Sequence, residues 1–326
     1  MSRSTLAFLL KALVSLGILS FVLSRIDMAQ LLRVLSSVHL YYFVIALAGY
    51  FLGQIICSVR WALLARPLGF KNPLKDFVIF YFIGMFFNLF APSTIGGDIG
   101  RVFYLARDWS KKEQREWTGP TISALASVLA DRFIGLVVLV WIGAVALVLF
   151  SDYPIPLVVR SLTFALAAGS LLAWMLLPLL NRVLQRWDLP KGKNLLLGLE
   201  TYTRNRRVIL QTVILSLCVH FIQSWMQILL GQALDVEIPW PYSFILYPLV
   251  GMFSALPISL NGIGLREGGY LFLLGQIDVS SEKAIAFALL WFLIIALDSL
   301  IGGVVFIARK SPRSSAAASG IEDQVK

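Results

Sequence analysis

Two arginines with matching surroundings are the residues of this sequence best suited to chemistry. Arg101 and Arg266 lie 165 residues apart, and each follows a proline by nine residues in a glycine-rich stretch that interrupts an apolar run. A guanidinium group offers planar, bidentate hydrogen bonds that suit phosphate and carboxylate groups. The pair therefore predicts a site for an anion.

The stretches around these arginines also supply backbone donors. Pro92 and Pro257 remove a helical hydrogen bond, and the glycines that follow each proline tolerate the irregular backbone of a break. Helix N-termini beside such breaks present unpaired N–H groups and the positive end of the helix dipole, which attract anions. The predicted substrate-binding residues are Arg101, Arg266, Gly96, Gly97, Asn261 and Gly262.

Two aspartates are related by nearly the same offset. Asp131 and Asp298 begin similar segments 167 residues apart, each about 10 to 14 residues inside an apolar run. A charge at that depth costs about 2.5–3.5 kcal/mol, so it needs a partner or a watery cavity. We expect both aspartates to act as counter-ions or proton carriers, together with Asp98 and Glu267 beside the arginines. The alternative is a structural role, in which each aspartate neutralises an arginine and locks two helices together.

Two further arginines, Arg60 and Arg132, lie inside apolar runs. Arg60 lies near the end of its apolar run, where snorkelling to the headgroups would explain it, and the same explanation is open for Arg101. Arg132 adjoins Asp131, but neighbours i and i+1 on a helix point apart, so the two are not expected to pair.

The composition identifies the environment in which these groups must work. Hydrophobic residues make up 58% of the chain and charged residues 14%, with a mean hydropathy of +0.81. Soluble proteins average about 45–50% apolar and about 25% charged residues. The chain is therefore predicted to be an integral membrane protein. Its net charge of +10 comes from basic residues in short loops, where they set orientation, so nucleic acid is not expected as a partner.

The apolar runs predict one transmembrane domain over residues 1–309, with a disordered cytoplasmic tail at 310–326. Full spans are predicted at 5–23, 40–64, 120–150, 157–180, 208–230 and 284–308, and the two broken segments are 77–106 and 242–275. Basic loops flank the first broken segment and acidic loops the second, so the first should enter and leave from the cytoplasm and the second from outside. Both chain termini should be cytoplasmic, in the cell inner membrane.

The predicted fold class is an all-α integral membrane protein with about six spanning helices plus two re-entrant helical hairpins in an inverted repeat. The repeat halves cover about 5–150 and 157–308. Irregular backbone at membrane depth is tolerated where protein or water covers it. The alternative is eight full spans, two of them kinked.

The motifs resemble a known family. Segments 88–101 (NLFAPSTIGGDIGR), 130–135 (ADRFIG) and 257–268 (PISLNGIGLREG), together with Asp298, are similar to the flippase-like membrane domain of lysylphosphatidylglycerol synthases. Stand-alone members look similar over about residues 5–308. In bifunctional members a soluble synthase domain follows, and its absence here would remove the aminoacyl transfer activity.

The resemblance implies a lipid translocase that moves an anionic phospholipid or lipid-linked headgroup between leaflets, and not an enzyme. Membrane lipids, mostly anionic, are the expected partners; a homo-oligomer is compatible with the sequence, and no cofactor is expected. Two other functions stay open: a membrane-embedded enzyme on lipid phosphates with Asp131 as base, and an accessory subunit of a lipid-synthesis complex.

Overall fold

A computed structural model describes residues 13–18, 20, 24, 26–90, 95–113, 118–186, 201–202, 205–255, 259 and 262–310. Ten α-helices and one short 3-10 helix (Arg66–Leu68) have defined bounds in these residues, which contain no β-strand. The helices are α1 (Met28–Ser36), α2 (Leu40–Ala65), α3 (Leu74–Phe90), α4 (Ile95–Glu113), α5 (Thr118–Leu149), α6 (Leu157–Arg186), α7 (Arg206–Gln232), α8 (Trp240–Ala255), α9 (Leu265–Gly275) and α10 (Ser281–Lys310). The all-α membrane fold is confirmed at this level.

Four helices are long and apolar enough to cross a membrane. They are Leu40–Leu68, Gly119–Leu149, Arg206–Gln232 and Ser281–Arg309. Each coincides with a predicted span. Helix α6 covers the predicted span 157–180, of which Leu157–Ala173 is a shorter apolar helix. Most of the predicted first span, 5–23, and the tail 310–326 lie outside the described residues.

The first broken segment forms a hairpin of two helices, α3 and α4. The rings of Phe80 and Tyr104 stack with centroids 5.5 Å apart, and the Gly97 N–H donates to the Asn88 side chain over 2.8 Å. A Cβ at Gly97 would lie 1.9 Å from the carbonyl oxygen of Gly84, so the two backbones touch where the glycines meet. We call this pair hairpin 1.

The second broken segment forms hairpin 2, from α8 and α9. The Tyr242 hydroxyl donates to the Leu273 carbonyl oxygen over 2.5 Å, near the open end. Gly262 and Gly264, which precede α9, have φ of +76° and +85°, a backbone region that favours glycine. The Gly264 N–H donates to Glu267 Oε2 over 2.7 Å, which caps the start of α9.

The hairpins open toward opposite ends of α2. At the Ala65 end, the Trp109 indole of α4 donates to the Gly69 carbonyl oxygen. At the Leu40 end, the His39 N–H donates to the Ala233 carbonyl oxygen, shortly before α8 begins. A helix of 26 residues is about 39 Å long, so the two openings are separated by roughly the thickness of a bilayer.

Most of the large buried side chains lie around hairpin 2. Tyr242, Tyr270, Leu273 and Phe287 are fully buried there, where α8 and α9 pack against α10. A second cluster, with Trp61, Phe70, Phe77, Phe80 and Leu105, packs α2 against hairpin 1. The two apolar clusters therefore hold each hairpin against long helices, and polar side chains lie between the two hairpins.

Replacing Gly97 by alanine should loosen hairpin 1. The added methyl would overlap backbone that cannot rotate away, and overpacking of this kind costs about 1–3 kcal/mol. Gly169→Ala is the matched control, because nothing lies within 4 Å of its Cβ position in α6. Thermal unfolding in detergent, followed by tryptophan fluorescence, should show a lower midpoint for Gly97→Ala only; equal midpoints would contradict the close packing.

A cavity with arginines from both hairpins

A cavity of about 330 Å³ lies between the two hairpins, α2, α5 and α10. Its polar lining comprises Tyr50, Gln54, Tyr81, Asn88, Arg101, Arg132, Arg266 and Ser299. Both arginines singled out by the sequence therefore line one cavity. A larger groove of about 680 Å³ between α5, α7 and α8 has only apolar side chains in its lining, so it offers no group that could bind a charge.

Arg101 is held in a fixed position. It is 3% exposed, and its Nη2 donates to Asp131 Oδ2 over 2.8 Å. The guanidinium carbon lies 4.3 Å from the centroid of the Trp61 ring and 4.5 Å from that of Tyr81. A desolvated cation between two aromatic faces gains about 2 kcal/mol or more. Arg101 is thus buried in the protein, and the snorkelling interpretation is wrong for it.

Arg60 belongs to the same buried ion-pair network, a role that sequence reasoning missed. It is 5% exposed; its Nε donates to Asp131 Oδ1 and its Nη1 to Ser216 Oγ, over 2.8 and 2.9 Å. Both oxygens of Asp131 are therefore occupied, one by Arg60 and one by Arg101. Because Arg60 lies near the end of its apolar run, its sequence position did not distinguish a partner in another helix from the headgroups.

Arg266 pairs within its own helix. Its Nη2 and Nε donate to Glu267 Oε1 over 2.7 and 3.1 Å, while Glu267 Oε2 accepts the Gly264 N–H. The guanidinium carbon lies 4.9 Å from the centroid of the Phe292 ring. In the part of the chain that the structure describes, Nη1 of Arg266 makes no hydrogen bond, so this donor is available to a ligand.

Arg132 and Asp98 form a further pair at the cavity. Arg132 Nε and Nη2 donate to Asp98 over 3.0 and 3.1 Å, and Asp98 also lies 3.6 Å from Arg101 Nη1. The Arg132 side chain is 48% exposed, unlike the buried Arg101. As expected from the helix geometry, Arg132 does not pair with its neighbour Asp131.

Asp298 differs from its sequence counterpart Asp131. It is 2% exposed, its Oδ2 has no hydrogen-bond partner, and no ion pair joins it to an arginine of the described chain. The neighbours Ile295 and Ser299 line the cavity, whereas Asp298 lies beside that lining. The structure thus brings Arg101, Asp131 and Asp98 together, but not Asp298 and Arg266.

The predicted backbone donors are placed less favourably for a ligand. The Gly97 N–H is taken by Asn88, and Gly262 packs against the backbone of Ser254. Gly96, Gly97 and Gly262 are not among the residues that line the cavity, and Asn261 lies outside the described residues. The side chains of the arginines are therefore the positively charged groups that line this cavity.

A family model matches the chain over most of its length. The model of the family "Lysylphosphatidylglycerol synthase TM region" matches residues 8–302, so the chain belongs to this family. It is also 26% identical over 107 residues to UPF0104 membrane protein MJ1595 of Methanocaldococcus jannaschii. That match covers 32% of this chain and 31% of the relative, so it spans only about a third of the relative's length.

Removing the charge of Asp131 should destabilise the fold strongly. Asp131→Asn leaves Arg60 and Arg101 buried with an uncompensated charge, which costs about 3–5 kcal/mol. The matched control Asp76→Asn breaks the pair with Arg309, whose side chain is 44% exposed, and a loss of about 1 kcal/mol or less is expected there. The free energy of unfolding in detergent, titrated with denaturant, tests the difference. Equal losses would show that burial does not distinguish the two pairs.

Proposed function

We propose that this family member moves an anionic phospholipid, or another lipid with an anionic headgroup, between the leaflets of the cell inner membrane. The observation that carries the proposal is the shared cavity: Arg101 from hairpin 1 and Arg266 from hairpin 2 both line it. A headgroup held there would contact both halves of the protein at once. Such a position suits a site that is exposed alternately to the two sides.

The donors of the cavity support a phosphate group as ligand. Nη1 of Arg266 makes no hydrogen bond within the described residues, Arg132 is half exposed, and Tyr50, Gln54 and Ser299 add neutral polar groups. Arginine is well suited to the planar, bidentate recognition of phosphate oxygens. A volume of about 330 Å³ lies at the lower end of the range of ligand pockets, about 300–1,000 Å³, and so suits a headgroup rather than a whole lipid.

The proposed membrane arrangement follows from the two openings of the hairpins. Hairpin 1 would be re-entrant from the cytoplasm and hairpin 2 from outside, as the halves of an inverted repeat, with both chain termini cytoplasmic. The basic loops near Arg66 and Arg107 and the acidic loops near Asp235 and Asp278 support this orientation. Headgroup passage would then consist of one hairpin opening while the other stays closed.

The environment of Asp131 argues against an enzyme acting on lipid phosphates. A general base needs an oxygen free to accept a proton. Both oxygens of Asp131 already accept hydrogen bonds from Arg60 and Arg101. This supports translocation as the activity and a positioning role for Asp131.

Cysteine accessibility tests the re-entrant arrangement. In a chain with Cys57 and Cys218 replaced by serine, Lys71→Cys and Arg107→Cys flank hairpin 1, and Glu237→Cys and Asp278→Cys flank hairpin 2. All four positions are exposed. On intact spheroplasts an impermeant maleimide should label only the hairpin 2 pair, and the hairpin 1 pair should react after permeabilisation. Labelling of the two members of one pair from opposite sides would mean a full span instead of a hairpin.

Arg266→Ala tests the headgroup site. Loss of a hydrogen bond to a charged group costs about 1.5–3 kcal/mol, so leaflet exchange of a fluorescent phosphatidylglycerol in proteoliposomes should slow about 10- to 100-fold. Arg33→Ala on the exposed face of α1 is the control and should keep the wild-type rate. Undiminished exchange by Arg266→Ala would exclude the assigned role, and wild-type protein that exchanges no lipid would exclude the function.

A further inference from the structure

Among the described residues around the cavity, four arginines are paired with three carboxylates, so the paired groups together carry one net positive charge. The four arginines are Arg60, Arg101, Arg132 and Arg266, and the three carboxylates bonded to them are Asp131, Asp98 and Glu267, at 2.8, 3.0 and 2.7 Å. Asp298 is the fourth carboxylate, and it has no arginine partner in the described chain. The charge of the whole cluster therefore depends on whether Asp298 carries a proton.

The groups that face Asp298 come from several helices. Tyr50 of α2 lies close enough to interact electrostatically with Asp298, with Tyr247 of α8 and with Arg266 of α9. Helix α3 packs on α10 through the backbone of Phe82, which carries no titratable group. Helices α1 and α7 also contact α10, and no charge from their described residues acts on Asp298. Asp298 thus has Tyr50 near it and, within the described residues, no ion pair.

We propose that the cavity binds a lipid headgroup with one net negative charge together with one proton, and that Asp298 takes up the proton. This rests on the proposed lipid-binding function and specifies the charge of its substrate. With Asp298 ionised, the eight charged groups are neutral together, so a phosphodiester would bring an uncompensated charge into a site of low dielectric constant. With Asp298 protonated, the cluster carries one positive charge, which the phosphodiester cancels.

The other three carboxylates are unsuited to this proton. Both oxygens of Asp131 accept from arginines, and Asp98 accepts two N–H groups of Arg132. Glu267 accepts from Arg266 with one oxygen and from the Gly264 N–H with the other. Protonation of any of them would break an ion pair, whereas Asp298 loses none.

The position of Asp298 favours a proton over an ammonium group as the balancing cation. A zwitterionic headgroup would need to bring its ammonium to Asp298, which is 2% exposed and does not line the cavity. Tyr50 does line the cavity and lies near Asp298. A phenol hydroxyl both donates and accepts hydrogen bonds, so Tyr50 is the group on the cavity wall through which a proton would pass to the carboxylate.

Proton uptake on binding is the direct measurement. The full chain in detergent is titrated with dioctanoyl phosphatidylglycerol in weakly buffered solution containing a pH indicator, between about pH 5 and pH 9. We expect about one proton taken up per lipid at the pH of maximal uptake, and a Kd that rises about tenfold per pH unit above the titration of Asp298.

Two variants assign the proton to its residue. Asp298→Asn is neutral at every pH, so it should bind the lipid without proton uptake and with a Kd independent of pH. Asp152→Asn removes a carboxylate from an exposed loop and should behave as wild type. Asp298→Glu keeps a titratable group and should retain the uptake at a shifted pH, so the assignment stays testable if the asparagine variant fails to fold.

Three results would overturn the proposal. The first is lipid binding without proton uptake, and the second is proton uptake that persists in Asp298→Asn. The third is that the protein prefers dioctanoyl phosphatidylethanolamine to dioctanoyl phosphatidylglycerol, or binds neither. Leaflet exchange separates this outcome from the proposed function. If lipid exchange occurs without proton uptake, the protein is a translocase but binds its lipid without a proton. If proton uptake occurs without exchange of any lipid, translocation is excluded, whereas the binding of one lipid with one proton is supported.

Discussion

The carboxylate of Asp131, held between two arginines, is the interaction on which the arrangement of the cavity depends. It joins Arg60 of α2 and Arg101 of hairpin 1 to α5, with all three side chains buried. Desolvating three charges is costly, and the cost is recovered only when every member is in place. The network therefore fixes hairpin 1 to two long helices and fixes Arg101 at the cavity, where its guanidinium carbon lies over the rings of Trp61 and Tyr81.

In the part of the chain that the structure describes, hairpin 2 has no equivalent ion pair to another helix. The ion pair of Arg266 is with Glu267 in the same helix, and Asp298, the counterpart of Asp131, makes no ion pair with the described residues. A displacement of α9 would thus carry its own ion pair along, whereas a displacement of α4 would separate Arg101 from Asp131. Helix α9 is held instead by apolar packing, with Tyr270 and Leu273 fully buried, and by the hydrogen bond from the Tyr270 hydroxyl to Gln227. Two segments with similar sequences are therefore held by different kinds of contact.

Much of the fold could be predicted from the sequence because its signals are local. Long apolar runs identify four spanning helices, and Pro92 and Pro257 with their following glycines identify the two hairpins. The common cavity of Arg101 and Arg266 also followed from their matched positions. The network of Arg60 could not be predicted, because it requires α2, α4 and α5 to meet at one point. Charge and spacing alone gave no reason to prefer a partner in another helix over the headgroups.

The different surroundings of Asp131 and Asp298 could not be predicted from the sequence either, because they depend on residues of other helices. Both aspartates occupy matching positions in similar segments, but the residues around them belong to other helices. Arg60 of α2 donates to Asp131, whereas the residue of α2 near Asp298 is Tyr50. Matching positions in similar segments thus predict that both aspartates are buried, and the neighbouring helices determine which partners each aspartate has.

Close packing of α3 explains which wall of the cavity can adapt to a ligand. A Cβ at Gly97 of α4 or at Gly302 of α10 would lie 1.9 Å from an α3 carbonyl oxygen, that of Gly84 or Phe82. Small residues allow helix backbones in membranes to approach this closely. Helix α3 is thus held by backbone contact on two sides, so the wall that it contributes, including Asn88, is rigid. Adjustment to a headgroup must come from the opposite wall, where Arg266 lies on a short helix that begins after positive-φ glycines.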